Sequence, residues 1–298
     1  MRYLTYSLVP LLILFMAIML SCVLAYFIAL GLGDQFPLRK IISKSTQLFL
    51  VLSIFPAMTL LKISKMELGF AERTIFIKQL FKGFVLGFVT LIPVFWVLYA
   101  LKINVLDSTQ LWTVGLIAKK MAGALLLALI ISLIEEPLFR GILLTGLKRK
   151  LPVMAAILIS SFYYAALHFL NSHINLPFQD LNWFSGFTLL QDAFANLLNP
   201  EILPAFFALL MVGIFLGLLR TKVKTSLGMC IGCHTCWVWL IKMSKSLFNT
   251  DFNAPYAFFV SHYDGVIGPL VTGWLFLAVV VFLLYERGWF TRKVASIY

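Results

Sequence analysis

From Tyr3 to Gly33 the chain carries no charged side chain: YLTYSLVPLLILFMAIMLSCVLAYFIALGLG. A helix crosses the hydrocarbon core of a bilayer with roughly 20 apolar residues. Such a run restricts the fold sharply, because in lipid the backbone must satisfy its own hydrogen bonds, in helices or closed barrels. It is also too long for the apolar region of a cleaved signal peptide, so it reads as a retained span. Similar runs recur, giving expected spans near 4–31, 46–62, 80–104, 115–147, 153–171, 204–219, 225–247 and 266–285. The 298 residues are 61% hydrophobic and 12% charged, with a mean hydropathy of +0.97, which excludes an ordinary soluble domain. The expectation is an all-α polytopic transmembrane helical bundle of about eight spans, forming one integral membrane domain over 1–298, its fourth span tilted or over-long.

The cations have a sidedness. If the spans alternate, Lys65, Arg73, Lys78, Lys148, Arg149, Lys150, Arg220, Lys222, Lys224, Arg287, Arg292 and Lys293 fall on one side. The positive-inside bias makes that side, with both termini, cytoplasmic, and a bacterial inner membrane is the expected location. The segment 172–203 on the other side has Asp180, Asp192 and Glu201 but no Lys or Arg, and its WFSGF string is a candidate lid. Arg39, Lys40, Lys44, Lys119 and Lys120 run against the bias. The net charge of +12 lies in short loops beside apolar spans, so the bilayer's anionic headgroups are the expected partner and nucleic acid is not.

Residues 230–234 read CIGCH, which in an exposed periplasmic segment would attach a c-type haem. Here the string lies inside an apolar helix, TSLGMCIGCHTCWVWLI, and no haem is expected. Cys230, Cys233 and His234 share a helix face as a possible zinc set, but structural zinc sites use two ligand pairs and no second thiol pair exists. Buried, merely packed thiols are the simpler reading. His234 then remains an imidazole in the membrane that needs a reason.

That reason is sought at 131–141, ISLIEEPLFRG. Even on the mildest scale an acidic residue at a span centre costs roughly 2.5 to 3.5 kcal/mol. Arg140 follows Glu136 at i+4 and can neutralise it, whereas Glu135 points about 100° away and is left for chemistry or for an imidazole. A second membrane imidazole, His168, follows Tyr164 in SSFYYAALHFLNSH. At about 1.5 Å per residue, Glu135 lies roughly 20 Å from Lys148, His168 roughly 24 Å from Pro152 and His234 roughly 14 Å from Thr225. One carboxylate and two imidazoles can therefore share a layer of the bilayer. His173 and His262 read as interfacial.

Glu135-Glu136-Pro-Leu-Phe-Arg140 resembles the EExxxR signature of the CAAX-protease and bacteriocin-processing family of intramembrane proteases, also called the Abi family. Tyr164-Ala-Ala-Leu-His168 is similar to its FxxxH motif, with Tyr for Phe, and His234 follows a segment, Gly213 to Arg220, similar to the approach to its HxxxN or HxxxD motif. The likeness covers a protease-like core at about 115–247. One position departs from the pattern: four residues after His234 stands Val238, which cannot donate to an oxyanion. Thr235 and the Trp237 and Trp239 indoles are candidate replacements.

The resemblance implies a glutamic intramembrane endopeptidase. Glu135 would be general base, His168 would orient the water, His234 would stabilise the tetrahedral intermediate, and Glu136, Arg140 and Tyr164 would support them. Its substrate would be a peptide or protein with a membrane or lipid anchor. No cofactor is expected; the alternative is Zn2+ on Glu135, His168 and His234. Two other function classes fit the same charges, a non-catalytic membrane scaffold or immunity protein and, less well, a proton-coupled transporter.

Overall fold

In a computed structural model the chain is described over residues 2–223 and 225–286, so Lys224, Arg287, Arg292 and Lys293 lie outside the described residues. The helices are α1 (Arg2–Leu32), α2 (Leu38–Leu52), α3 (Ile54–Leu61), α4 (Lys65–Leu68), α5 (Arg73–Ala100) and α6 (Val114–Glu136). A π-helical segment, Pro137–Leu143, leads into α7 (Leu144–Lys148). There follow α8 (Val153–Phe169), α9 (Ser185–Leu197), α10 (Leu203–Lys222), α11 (Leu227–Leu247) and α12 (Pro269–Glu286). Among the described residues six stretches are long and apolar enough to cross a membrane: Leu8–Gln35, Leu38–Leu61, Lys65–Ala100, Val114–Lys148, Pro200–Lys222 and Pro269–Glu286. The apolar helix α8 is shorter, and α11, at the position of the seventh expected span, is not among the six, so six of the eight expected spans meet that criterion. The chain is thus the expected all-α polytopic bundle. The second and third spans begin earlier than hydropathy indicates, because Arg39 to Lys44 and Arg73 to Lys78 carry cations but are still helical.

Glycines set the closest helix pair. A methyl group on Gly83 of α5 would collide with the Met229 carbonyl of α11, and one on Gly232 of α11 with the Leu80 carbonyl of α5. Gly87 and Gly228 are closed off in the same way by Cys236 and Phe76. Small residues spaced by four on both helices let the backbones meet, the usual means of close packing without a hydrophobic drive between helices. CIGCH is therefore the small-residue seam of α11: Cys230, Cys233 and Cys236 are buried free thiols, and Cys230 Sγ donates to the Leu216 carbonyl at 3.6 Å. A second seam joins α10 to α8, with Gly213 on Ser161 and Gly217 on Ile157. The main core lies among α5, α8, α10, α11 and α12.

The two ends of the bundle differ. At one end the Arg149 guanidinium reaches Glu67 at 2.7 Å and donates to the Leu61 carbonyl, Arg220 donates to the Glu67 carbonyl at 2.6 Å, and Lys222 pairs with Glu286 at 2.6 Å. At the other end a short antiparallel ribbon of β1 (Asn104–Leu106) and β2 (Phe248–Thr250) ties α5 to α11, with Val105 opposite Asn249. The candidate lid consists of α9 and the irregular segment leading to it, with a single 3-10 turn at Phe178–Asp180. Trp183 packs on the rings of Tyr26 and Phe27, and Asn196 donates to the Phe169 carbonyl at 2.8 Å, capping the end of α8.

Candidate active site

α6 ends on Glu135-Glu136 because Pro137 has no N–H to continue the α-helical ladder, and the chain passes into the π-helical segment. Single π turns inside long helices often mark functional positions. Glu136 is completely buried and Arg140 is 2% exposed, with Arg140 Nη1 lying 3.2 Å from Glu136 Oε1. The i+4 pair read from the sequence therefore forms.

His234 of α11 completes this cluster. Its Nδ1 lies 2.8 Å from Glu136 Oε1, while its Nε2 faces Glu135 Oε2 at 3.9 Å. An ionised carboxylate only accepts hydrogen bonds, so Nδ1 carries the proton toward Glu136 and Nε2 is the nitrogen offered to Glu135. The sequence left Glu135 for chemistry or for an imidazole; the tighter imidazole contact is with Glu136. Glu135, with a side chain 19% exposed, turns toward a cavity.

His168, in the last turn of α8, lines the same cavity. Its Nδ1 is 2.7 Å from the Tyr164 carbonyl. A carbonyl accepts, so Nδ1–H donates and the neutral ring keeps Nε2 as an acceptor. Tyr164 sits between the parts: its ring centroid is 4.7 Å from that of His168, 6.2 Å from that of His234 and 5.2 Å from that of Phe139, and the Arg140 guanidinium carbon lies 4.2 Å over its face. The aromatic ring shields and orients the buried cation. All six residues singled out in the sequence, Glu135, Glu136, Arg140, Tyr164, His168 and His234, thus converge.

The candidate oxyanion donors fare unequally. Trp237 Nε1 donates to Thr90 Oγ1 at 2.8 Å and Trp239 Nε1 to the Met121 carbonyl at 3.1 Å, so both indoles are committed. Thr235 Oγ1 is buried with no hydrogen-bond partner. Among the described residues no three His, Cys, Asp or Glu side chains gather closely enough to hold a metal ion. His173 and His262 do not line the cavity; the His173 amide donates to Asp192 and the His262 ring stacks on Phe252 at 4.3 Å.

The cavity has a volume of about 790 Å³ and is walled by α1, α2, α6, the π-helical segment, α8 and α9. Leu189, Leu190 and Ala193 of α9 form part of it, so the 172–203 segment serves as a side wall. What the sequence reading missed is the contribution of α2: Arg39, Lys40 and Lys44 line the cavity that holds Glu135 and His168. Their signal was present, as cations on the side of the membrane that the charge bias leaves poor in them.

Neither the curated proteins nor the solved structures contain a match to the chain. Residues 117–240 match a family model described as Rce1-like, type II CAAX prenyl endopeptidase Rce1-like, and that stretch, which includes all six converging residues, is where the motifs resemble the CAAX-protease family.

Proposed function

We propose that the chain is an intramembrane endopeptidase that hydrolyses a peptide bond near the membrane in a lipid-anchored or membrane-embedded substrate, using a glutamate-activated water and two histidines. The family match supports an intramembrane protease of the CAAX type in general. The observation that carries the finer reading is that Glu135 and His168 line one cavity while His234, pinned through Nδ1 by Glu136, turns Nε2 toward Glu135.

In this mechanism a water donates one hydrogen to Glu135 and the other to His168 Nε2. Glu135 takes the proton as the oxygen attacks the scissile carbonyl. In its doubly protonated form His234 donates Nε2–H to the developing oxyanion, its other N–H being held by Glu136. The proton on Glu135 then passes to the leaving amine, which restores the carboxylate. Glu136 and Arg140 fix the imidazole and balance the buried charge. The proposed steps use no metal; among the described residues Glu135, His168 and His234 are not grouped as a ligand trio. The end bearing Arg149, Arg220 and Lys222 is the cytoplasmic one under the positive-inside bias.

Val238 favours a second reading, a non-catalytic scaffold of the same fold, since it offers no donor where the resembling motif has Asn or Asp. One comparison separates the two. Wild type and Glu135→Gln are expressed in the host's membranes and new protein termini are read by mass spectrometry. A protease loses a set of termini with the substitution; indistinguishable termini, with both proteins abundant, leave the scaffold.

A further inference from the structure

The cavity described above is lined by the Glu135 and His168 side chains and by a cationic wall, Arg39, Lys40 and Lys44 in the first two turns of α2, together with neutral polar side chains such as Thr46, Gln47 and Asn171. Three observations indicate that this wall lacks its counter-ion. None of the three cations has a carboxylate within ion-pair distance among the described residues, and Lys44 Nζ makes only a 3.3 Å contact to Gln47 Oε1. Arg39 Nε is buried with no hydrogen-bond partner. The first turn of α2 holds no acidic residue, so these cations sit against the positive end of the helix dipole, where an anion is favoured and a cation is not. They also lie opposite the basic end of the bundle, so the charge bias does not account for them.

We infer that this wall binds a carboxylate of the peptide substrate, either its C-terminus or an Asp or Glu side chain close to the bond being cut, and so sets which peptides are cleaved. The inference rests on the protease reading of the site. A peptide fits better than a lipid headgroup because Arg39 Nε is buried and Arg39 lines the same cavity as Glu135 and His168, where the peptide being cut would lie; Lys40 and Lys44 are the exposed members of the wall. The apolar part of the lining, with Ile18, Leu50, Leu138 and Leu189, suits apolar side chains. The volume of about 790 Å³ is in the range of sites that enclose most of a small ligand. The wall belongs to the α1–α2 hairpin, outside the 117–240 segment, and is therefore a feature of this chain rather than of the matched core.

The test uses the full-length Glu135→Gln chain in phosphatidylcholine nanodiscs and three fluorescent apolar hexapeptides: a free acid, its amide, and the amide carrying one Asp. Binding is expected to be about tenfold or more tighter for whichever acidic peptide supplies the carboxylate, the scale of one charge-assisted hydrogen bond. The preference disappears in Arg39→Gln/Lys44→Gln and survives in Arg39→Lys, which separates loss of charge from loss of fold. Equal binding of all three peptides overturns the inference, and so does a preference untouched by the double substitution. Displacement of the acidic peptide by small amounts of phosphatidylglycerol, but not of phosphatidylcholine, assigns the wall to a headgroup and also overturns it. Because the readout is binding, it is independent of whether Glu135→Gln alters the protein termini.

Discussion

His234 Nδ1 lies 2.8 Å from Glu136 Oε1, and the same oxygen is 3.2 Å from Arg140 Nη1, so one buried carboxylate serves an imidazole and a guanidinium at once. The neighbouring carboxylate, Glu135, makes no contact this short and keeps Oε2 without a hydrogen-bond partner. Two adjacent residues of one type thus hold different positions. Glu136 is tied into a buried pair, and Glu135 faces the cavity, as the proposed general base would have to.

Substitution separates the two carboxylates. Glu136→Gln leaves Arg140 buried without its charge partner, and breaking a buried pair costs about 3–5 kcal/mol. Glu135→Gln, at a cavity-facing position, changes stability by about 1 kcal/mol or less. Thermal unfolding of both variants in one detergent, followed by tryptophan fluorescence, is expected to rank Glu136→Gln far below Glu135→Gln, with cleavage lost in both. The reverse ranking would mean that the Glu136–Arg140–His234 cluster does not hold the helices together.

Val238 lies one turn beyond His234 and presents only methyl groups. Removing one oxyanion donor from an enzyme typically costs about 100- to 1000-fold in rate. Supplying one by Val238→Asn is expected to raise kcat by about tenfold or more, with KM little changed, measured on a peptide identified from the wild-type termini. If the gain appears in KM instead, the new amide is binding substrate rather than the transition state.

Much of this was legible in the sequence, for physical reasons that also mark where legibility stops. Charges in a span are costly, so Glu135, Glu136, Arg140, His168 and His234 stood out against their apolar background, and rise per residue was enough to bring them to one depth. The pairing within the cluster was not legible, because whether His234 meets Glu135 or Glu136 depends on helix rotation and on the π-helical segment after Pro137, which periodicity does not reveal. The haem-like CIGCH string misleads in isolation, since glycine and cysteine are also what a close helix seam requires, and the facing Gly83 and Gly87 are needed to see it. The cationic wall on α2 depends on the N-terminal hairpin and α6 being brought to one cavity, which no local pattern encodes.

The seam makes its own prediction. Gly83→Ala places a methyl group into the Met229 carbonyl, whereas Gly123→Ala on α6 meets nothing within 4 Å. Overpacking of this kind costs about 1–3 kcal/mol, while an open helical Gly→Ala is neutral or gains up to about 1 kcal/mol from helix propensity. The unfolding midpoint should therefore fall for Gly83→Ala and stay or rise for Gly123→Ala, and equal shifts would show that α5 and α11 are not in close contact at this position.

The wall helix α9 is tied to the end of α8 through Asp192, which accepts the Ser172 hydroxyl at 2.7 Å and the His173 amide at 2.9 Å. Those two hydrogen bonds, the Ser172 hydroxyl foremost, hold its carboxyl below the usual carboxylate range. A carboxylate whose folded value is depressed stabilises the fold above its ordinary value of about 3.9 and loses that contribution as pH falls through the folded value. Hydrogen exchange in nanodiscs is expected to show residues 172–174 equally protected from neutral pH down to about 5, with protection lost only below about 4. Asp192→Asn, which keeps the shape without the charge, should flatten that profile. A loss of protection already beginning near pH 6 to 7, about the range of an ordinary histidine, would instead make His173 the controlling group.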